Sequence, residues 1–298
     1  TIRTVSLDIE TTFQGELRSI ALEGCGQRQV YMLGPPNGVD GPRDYELDYC
    51  ATRRELLDRM EAWFVLHDPD AIIGWNVIQF DMRVLQRHAE AMKRPLRLGR
   101  DGSAIEWREA GGKGGGRGSG QEHYFICIAG RLVIDGIDAL HSATWTFPSF
   151  SLENVSRTLL GVGKAIDNPH DRMAEIDRMF NEDKPALAYY NVMDCELVTR
   201  IFDKTRLLDF LLERASVTGL AADRSGGSVA AFEHLYMPLL HRQGRVAPNI
   251  GDVEGADSPG GFVMDSRSGL YDSVLVLDYK SLYPSIIRTF LIDPLGLI

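Results

Sequence analysis

No apolar run in the 298 residues approaches the ~20 that a membrane-spanning helix needs. No leader of charged, apolar and small residues precedes the first strand-like segment. Cysteine is scarce: Cys25, Cys50, Cys127 and Cys195 are scattered with no C-x-x-C pair, which argues against a zinc site or disulfide frame and for reduced thiols. The seven histidines form no H-E-x-x-H or comparable ligand spacing. The one glycine-rich run, AGGKGGGRGSG at 110–120, lacks the Gly-Lys-Ser/Thr ending of a phosphate-cradling loop and reads as a hairpin tip. Positive charge is also short, with 32 Lys and Arg against 42 Asp and Glu, a net of −10. By charge alone that argues against nucleic acid, but chemistry run on divalent metal needs clustered carboxylates, and arginine patches coexist with an acidic total. With 44% hydrophobic and 25% charged residues, the expectation is a soluble, cytoplasmic, globular protein.

Hydrophobic periodicity supplies the elements. Val5, Leu7 and Ile9 alternate with Ser6, Asp8 and Glu10, the pattern of a strand. LRSIALEG and RQVYML read as two more, PPNGVDGPRD as a loop, and DAIIGWN as a short buried strand. TRRELLDRMEAWFVLHD reads as a helix with Thr52 and Glu55 as its capping box, and a second helix runs from about Gln79 to Ala91. EHYFICIAGRLVID suggests a hairpin or paired strands around Ala129-Gly130. Helices are expected over 151–160, 171–181, 184–202, 203–216 and 227–243. DSVLVLDYKSLYPSII reads as an apolar strand followed by a helix start. Strands first and helices later imply an α/β core.

Acids then break the hydrophobic pattern. Asp8 and Glu10 share one strand face, roughly 7 Å apart at Cα. Asp81 lies on the helical stripe of Val84, Leu85 and His88, and Asp194 on that of Leu187, Tyr190, Val198 and Ile201. A bare buried carboxylate costs several kcal/mol unless paired. Arginines can supply the countercharge; so can divalent cations, and four hard oxygen ligands without clustered His or Cys suit magnesium or manganese. Two such ions about 3.5–4 Å apart serve phosphoryl transfer. Asp135 and Asp138, near a strand end, read as structural. Arg53, Arg54, Arg87, Lys93, Arg94, Arg97 and Arg100 read mainly as solvated helix faces, some able to track a DNA backbone.

LDIETT (Asp8, Glu10), NVIQFD (Asn76, Phe80, Asp81) and YNVMD (Tyr190, Asp194) resemble, in order, the three proofreading motifs of DEDD exonucleases, tyrosine subtype. LDYKSLYPSII from Asp278 resembles the first palm motif of family B DNA polymerases, and SPGGFV (258–263) the element that links their exonuclease and polymerase modules. The resemblance implies a ribonuclease H-like exonuclease over 1–205, a helical segment over 206–245 and the start of a palm domain over 246–298. It also implies two ions, Mg²⁺ or Mn²⁺. Asp8 would bridge both, Glu10 and Asp194 would help hold the nucleophile's ion, and Asp81 would act on the second through water. Tyr190 would orient the attacking water, and Thr11, Asn76 and Phe80 would meet a single-stranded or frayed 3′ DNA end. Asp278 and Tyr283 would belong to a polymerase site that is incomplete here, since the paired-aspartate palm motif and the Lys-Asn-Ser-Tyr-Gly fingers motif are missing. A sliding clamp is the implied partner of such a polymerase, and the bacterial cytosol its place. The competing expectations are a nuclease-like module that only holds single-stranded DNA, and an RNA-trimming exonuclease of the histidine subtype, against which Tyr190 argues.

Overall fold

A computed structural model describes residues 2–39, 41–109, 124–163, 172–224, 228–249 and 262–292. In chain order the elements are β1 Thr4–Thr11, β2 Leu17–Gly24, β3 Gln27–Leu33, β4 Glu46–Cys50, α1 Arg53–His67, β5 Ala71–Gly74, α2 Asp81–Ala91, β6 Glu106–Glu109, β7 Tyr124–Cys127 and β8 Leu132–Asp135. The helices α3 Gly136–Ser142, α4 Leu152–Leu160, α5 Arg172–Glu182, α6 Lys184–Thr205, α7 Leu207–Thr218, α8 Ser228–Arg242 and α9 Leu282–Phe290 follow. The glycine-rich run 110–120 and most of SPGGFV lie outside the described residues.

Six strands form one mixed sheet in the order β4-β3-β2-β1-β5-β8. β1 lies inside it, antiparallel to β2 and parallel to β5. Its alternation divides the two sheet faces. Val5, Leu7 and Ile9 pack with Leu56, Met60 and Phe64 of α1 and with Met82 and Leu85 of α2 in one core. The opposite face is covered by α6, whose Leu187, Val192 and Cys195 pack on Ala21, Val30 and Met32. This α/β arrangement, a mixed sheet flanked by helices, is the expected fold class.

Local chemistry explains the helix starts. Thr52 caps α1 by accepting from the Glu55 N–H at 3.2 Å, while the Glu55 carboxylate reaches back to the Ala51 N–H at 2.7 Å. α6 begins with Asp183 accepting from the Ala186 N–H, and Pro185 sits in the first turn, where its missing donor costs nothing.

Two expectations differ from the structure. The strands on either side of Ala129-Gly130 do not form a hairpin. They share only the bridge Ile128↔Arg131; β7 pairs antiparallel with β6, and β8 joins the main sheet parallel to β5. The apolar run 274–277 is not a strand: it pairs with nothing among the described residues, and its side chains are exposed. β propensity describes fitness for a pleated, half-buried surface, and the described residues of its own unit offer this run none. The chain divides into two compact units, Thr1–Ala247 and Pro248–Ile298. α7 and α8 fall in the first; in the second the described residues form the helix α9 and irregular chain.

Candidate active site

The strand alternation that buries Leu7 and Ile9 under α1 and α2 turns Asp8 and Glu10 toward α6. In register, Asp8 stands opposite Ala21 and Glu10 opposite Ser19. The pairing shifts between Glu10 and Thr11, a bulge of the kind that ends regular pairing beside functional sites. α6 brings Asp194 to the same place. Ligand oxygens of Asp8, Glu10 and Asp194 all lie within 4.8 Å of one another, with Glu10 4% and Asp194 2% exposed. Three carboxylates so close repel strongly in low dielectric.

Asp81 arrives from the other side as the first residue of α2. Its Oδ1 accepts from the Ile9 N–H at 3.1 Å, so the strand that carries Asp8 and Glu10 also holds Asp81. Burial, then the negative charge of Asp8, holds the Asp81 carboxyl well above the usual carboxylate range. Asp8, Glu10, Thr11, Asn76, Phe80 and Asp81 line one cavity of about 650 Å³. Tyr190 and Asp194, both buried on α6, are not part of its lining. Burial, then the charge of Asp194, pushes the Tyr190 phenol up, so its hydroxyl stays protonated at neutral pH. Asn76 has φ +60°, a left-handed conformation that Asn tolerates better than most residues. It turns the chain out of β5, and the Phe80 N–H donates back to the Asn76 carbonyl at 2.9 Å, setting Phe80 on the cavity rim.

Four groups escaped the sequence reading. Asn191, wholly buried, donates from Nδ2 to Asp8 Oδ2 at 2.6 Å and accepts at Oδ1 from the Ser19 hydroxyl at 2.7 Å. This relay fixes one oxygen of Asp8. Arg172, on α5, lines the cavity; its Nη2 lies 3.7 Å from Asp194 Oδ2 and its guanidinium 5.7 Å from the Tyr190 ring. Burial opposes its charge, but Tyr190, Glu10, Asp194 and Asp8 outweigh burial and raise its pKa. Trp75 donates from Nε1 to the Phe150 carbonyl at 2.9 Å, and both side chains form the far cavity wall. The only forward signal was YNVMD itself, which places Asn191 beside Tyr190. Asp135 is structural as expected: it caps α3 through the Ile137 N–H at 3.0 Å. Asp278 and Tyr283 lie in the second unit, both exposed.

Residues 31–155 match the DNA polymerase family B exonuclease domain, and residues 225–294 match DNA polymerase family B. The chain belongs to DNA polymerase family B. It is 65% identical over 297 residues to DNA polymerase II of Escherichia coli K12, an alignment covering 100% of this chain and 37% of that protein. It is 30% identical over 284 residues to the DNA polymerase delta catalytic subunit of Oryza sativa subsp. japonica, covering 91% of this chain and 25% of that subunit. A DNA polymerase of Desulfurococcus is 27% identical over 314 residues, covering 98% of this chain and 37% of the relative. The chain thus spans between a quarter and two fifths of these relatives' lengths. A family B exonuclease domain uses divalent metal, and the sheet flanked by helices is its ribonuclease H-like arrangement. The acidic cluster sits within that fold.

Proposed function

We propose that this chain carries a two-metal 3′→5′ exonuclease that trims single-stranded or frayed DNA ends, the proofreading activity of a family B DNA polymerase. The observation that carries this reading is the convergence of Asp8, Glu10 and Asp194 oxygens within 4.8 Å beside Asp81, in a chain with a family B exonuclease domain. The donor set fits the metal: carboxylates alone, with no His or Cys among them, favour Mg²⁺ or Mn²⁺ over zinc. Glu10 and Asp194 would hold one ion, Asp81 would serve a second, and Asp8 would be shared. Such ions supply Lewis-acid charge to the scissile phosphate and a nucleophile at neutral pH.

The chain's own residues do the rest. Asn191 orients Asp8, and the Asp81 carboxylate is tied to the β1 backbone. Tyr190, kept protonated, positions the attacking water one helical turn from Asp194. Arg172 brings positive charge to the acid cluster. Phe80 offers a face to the terminal base, and Thr11 and Asn76 offer polar groups to the sugar and phosphate. In-line attack at the last phosphodiester releases a nucleoside monophosphate and leaves a new 3′ hydroxyl. Asp278 and Tyr283 belong, in this reading, to a DNA-synthesis site, supported by the family match over 225–294. A sliding clamp as partner of the whole protein and a place in the bacterial cytosol are part of the same proposal. No helix among the described residues is long and apolar enough to cross a membrane.

The test uses a 5′-labelled single strand. With Mg²⁺ or Mn²⁺, products shortened from the 3′ end should accumulate, and chelation should stop them. A strand that is retained but never shortened at saturating metal would instead favour the binding module.

A further inference from the structure

The arginines that tie elements of the fold together do so at close range. Arg131, buried, meets Asp68 at 2.9 Å and donates to the Leu98 and Phe64 carbonyls. Arg18, also buried, meets Asp177 at 2.5 Å and lies 4.6 Å from the centre of the Phe180 ring. Arg172 is different. Its Nη2 stops 3.7 Å from Asp194 Oδ2, too far for a hydrogen bond. Its Nε is buried with no hydrogen-bond partner among the described residues. The side chain as a whole is 41% exposed and lines the acid cavity.

The scaffold nevertheless places this guanidinium. Arg172 is the first residue of α5, and Met173 and Ile176 of the same helix line the cavity with it. The other end of α5 is anchored. Arg18 of β2 holds Asp177 and Phe180. Asn37, between β3 and β4, donates to the Phe180 and Asn181 carbonyls at 3.1 and 2.9 Å and accepts from the Lys184 N–H at 2.7 Å. The last turn of α5 is thus fastened to β2 and to the β3–β4 connection, and the helix carries Arg172 to the acids. There the arginine acts on Asp194 through charge rather than through a hydrogen bond. The N-terminal end of α5 adds partial positive charge of the same sign.

We propose that Arg172 is a resident countercation of the acid cluster: without metal it balances part of the charge of Asp8, Glu10 and Asp194, and it competes with metal for them. This rests on the two-metal reading above and extends it to how tightly the site holds its ions. Three carboxylates with oxygens within 4.8 Å of one another need positive charge nearby to stay ionised and folded. A guanidinium supplies one unit, a divalent ion two. When both are present they repel each other and share the attraction of the same acids, so each weakens the hold of the other. The geometry lets the arginine give way. It has no hydrogen bond to Asp194 to break and already reaches solvent, whereas displacing Arg131 from Asp68 would leave bonded groups unsatisfied. The outcome is a site that stays folded when idle and binds metal less tightly than its acids alone would.

The experiment needs no DNA and no turnover. Manganese binding is measured by titration calorimetry, and melting is followed in excess chelator and in saturating manganese, for the unmodified chain, Arg172→Gln and Arg172→Lys. Arg172→Gln keeps a polar side chain without charge. It should bind manganese roughly 5- to 150-fold tighter, the usual span of coupling between two bound species. In chelator it should melt roughly 2–4 °C lower, and saturating manganese should remove that deficit. Arg172→Lys keeps the charge and should keep the weaker manganese affinity of the unmodified chain. Unchanged or weakened affinity in Arg172→Gln overturns the competition and leaves the metal site standing, as does equal tightening in Arg172→Lys. An Arg172→Gln chain that stays unfolded in saturating manganese also overturns it, because the arginine is then structural. If the unmodified chain itself binds no manganese, the two-metal reading fails, and the countercation fails with it.

Discussion

β1 and the stretch 274–277 share a short grammar: apolar residues ending on an aspartate, VSLD in one and VLVLD in the other. Their fates differ. β1 pairs along both edges and is packed by α6 on one face and by α1 and α2 on the other, so Leu7 is 1% exposed. Leu277 is 82% exposed and forms no ladder among the described residues. An apolar run becomes a strand when neighbours satisfy its backbone and cover its side chains. The same holds for the acids. Asp8 becomes part of a site because β1 carries Glu10 two residues on and lies under Asp194; Asp278 has no such company among the described residues.

The sharpest way to break this comparison is to remove both acids separately. Asp8→Asn should lower digestion of a labelled single strand by at least ~10³-fold, the rate equivalent of several kcal/mol. Its melting temperature should be equal or higher, because one member of a repelling trio is neutral. Asp278→Asn should leave digestion within twofold. Comparable losses in the two variants would erase the distinction.

Stability should follow the same division. Leu7→Ala opens a cavity in a packed core and should cost ~2–5 kcal/mol in denaturant unfolding, whereas Leu277→Ala should cost under ~0.5 kcal/mol. Within the site, Tyr190→Phe removes only a hydroxyl. It should slow hydrolysis ~10²-fold, in the range of positioned acid–base groups, with calorimetric metal affinity unchanged; lost affinity would contradict a water-positioning role. Asn191→Leu tests the relay to Asp8. Loss of such an outer hydrogen bond should weaken metal binding about 10-fold, measured by titration without substrate, and Asn191→Gln should not fully restore it because the relay has no room to lengthen.

The last effect concerns Asp135, a buried acid outside the trio Asp8, Glu10 and Asp194. Burial, and after it the charge of Asp138, raises the Asp135 carboxyl to about 7. A folded-state pKa above the unfolded value means that the native state holds the proton more tightly. This contribution is therefore complete below pH ~4 and lost as pH rises through about 7. Unfolding free energy followed across that window should fall with pH, and Asp135→Asn should flatten the slope.

Much of this was legible along the chain. Asp81 and Asp194 interrupt apolar helical stripes, and period alone says they face inward; Asp8 and Glu10 keep the strand alternation and stand out as two acids on one strand face. The cap at Thr52 and Glu55 is read from four adjacent residues. Ser19–Asn191 was not legible, because its partners are 172 positions apart and neither residue breaks a pattern where it stands. Arg172 gave no signal for the same reason. The broken hairpin at Ala129-Gly130 failed differently: turn chemistry specifies a reversal, not which sheet each arm joins.

By itself the sequence determined what is written in short-range pattern: most of the strands and helices, which faces are apolar, and which carboxylates are out of place, since backbone geometry repeats every two or 3.6 residues. Only the tertiary structure decided which carboxylate meets which, and that Asn191 ties Asp8 to β2. Those relations come from strand register and helix packing across the whole sheet, where residues nearly two hundred positions apart come within 3 Å, and no local periodicity encodes them.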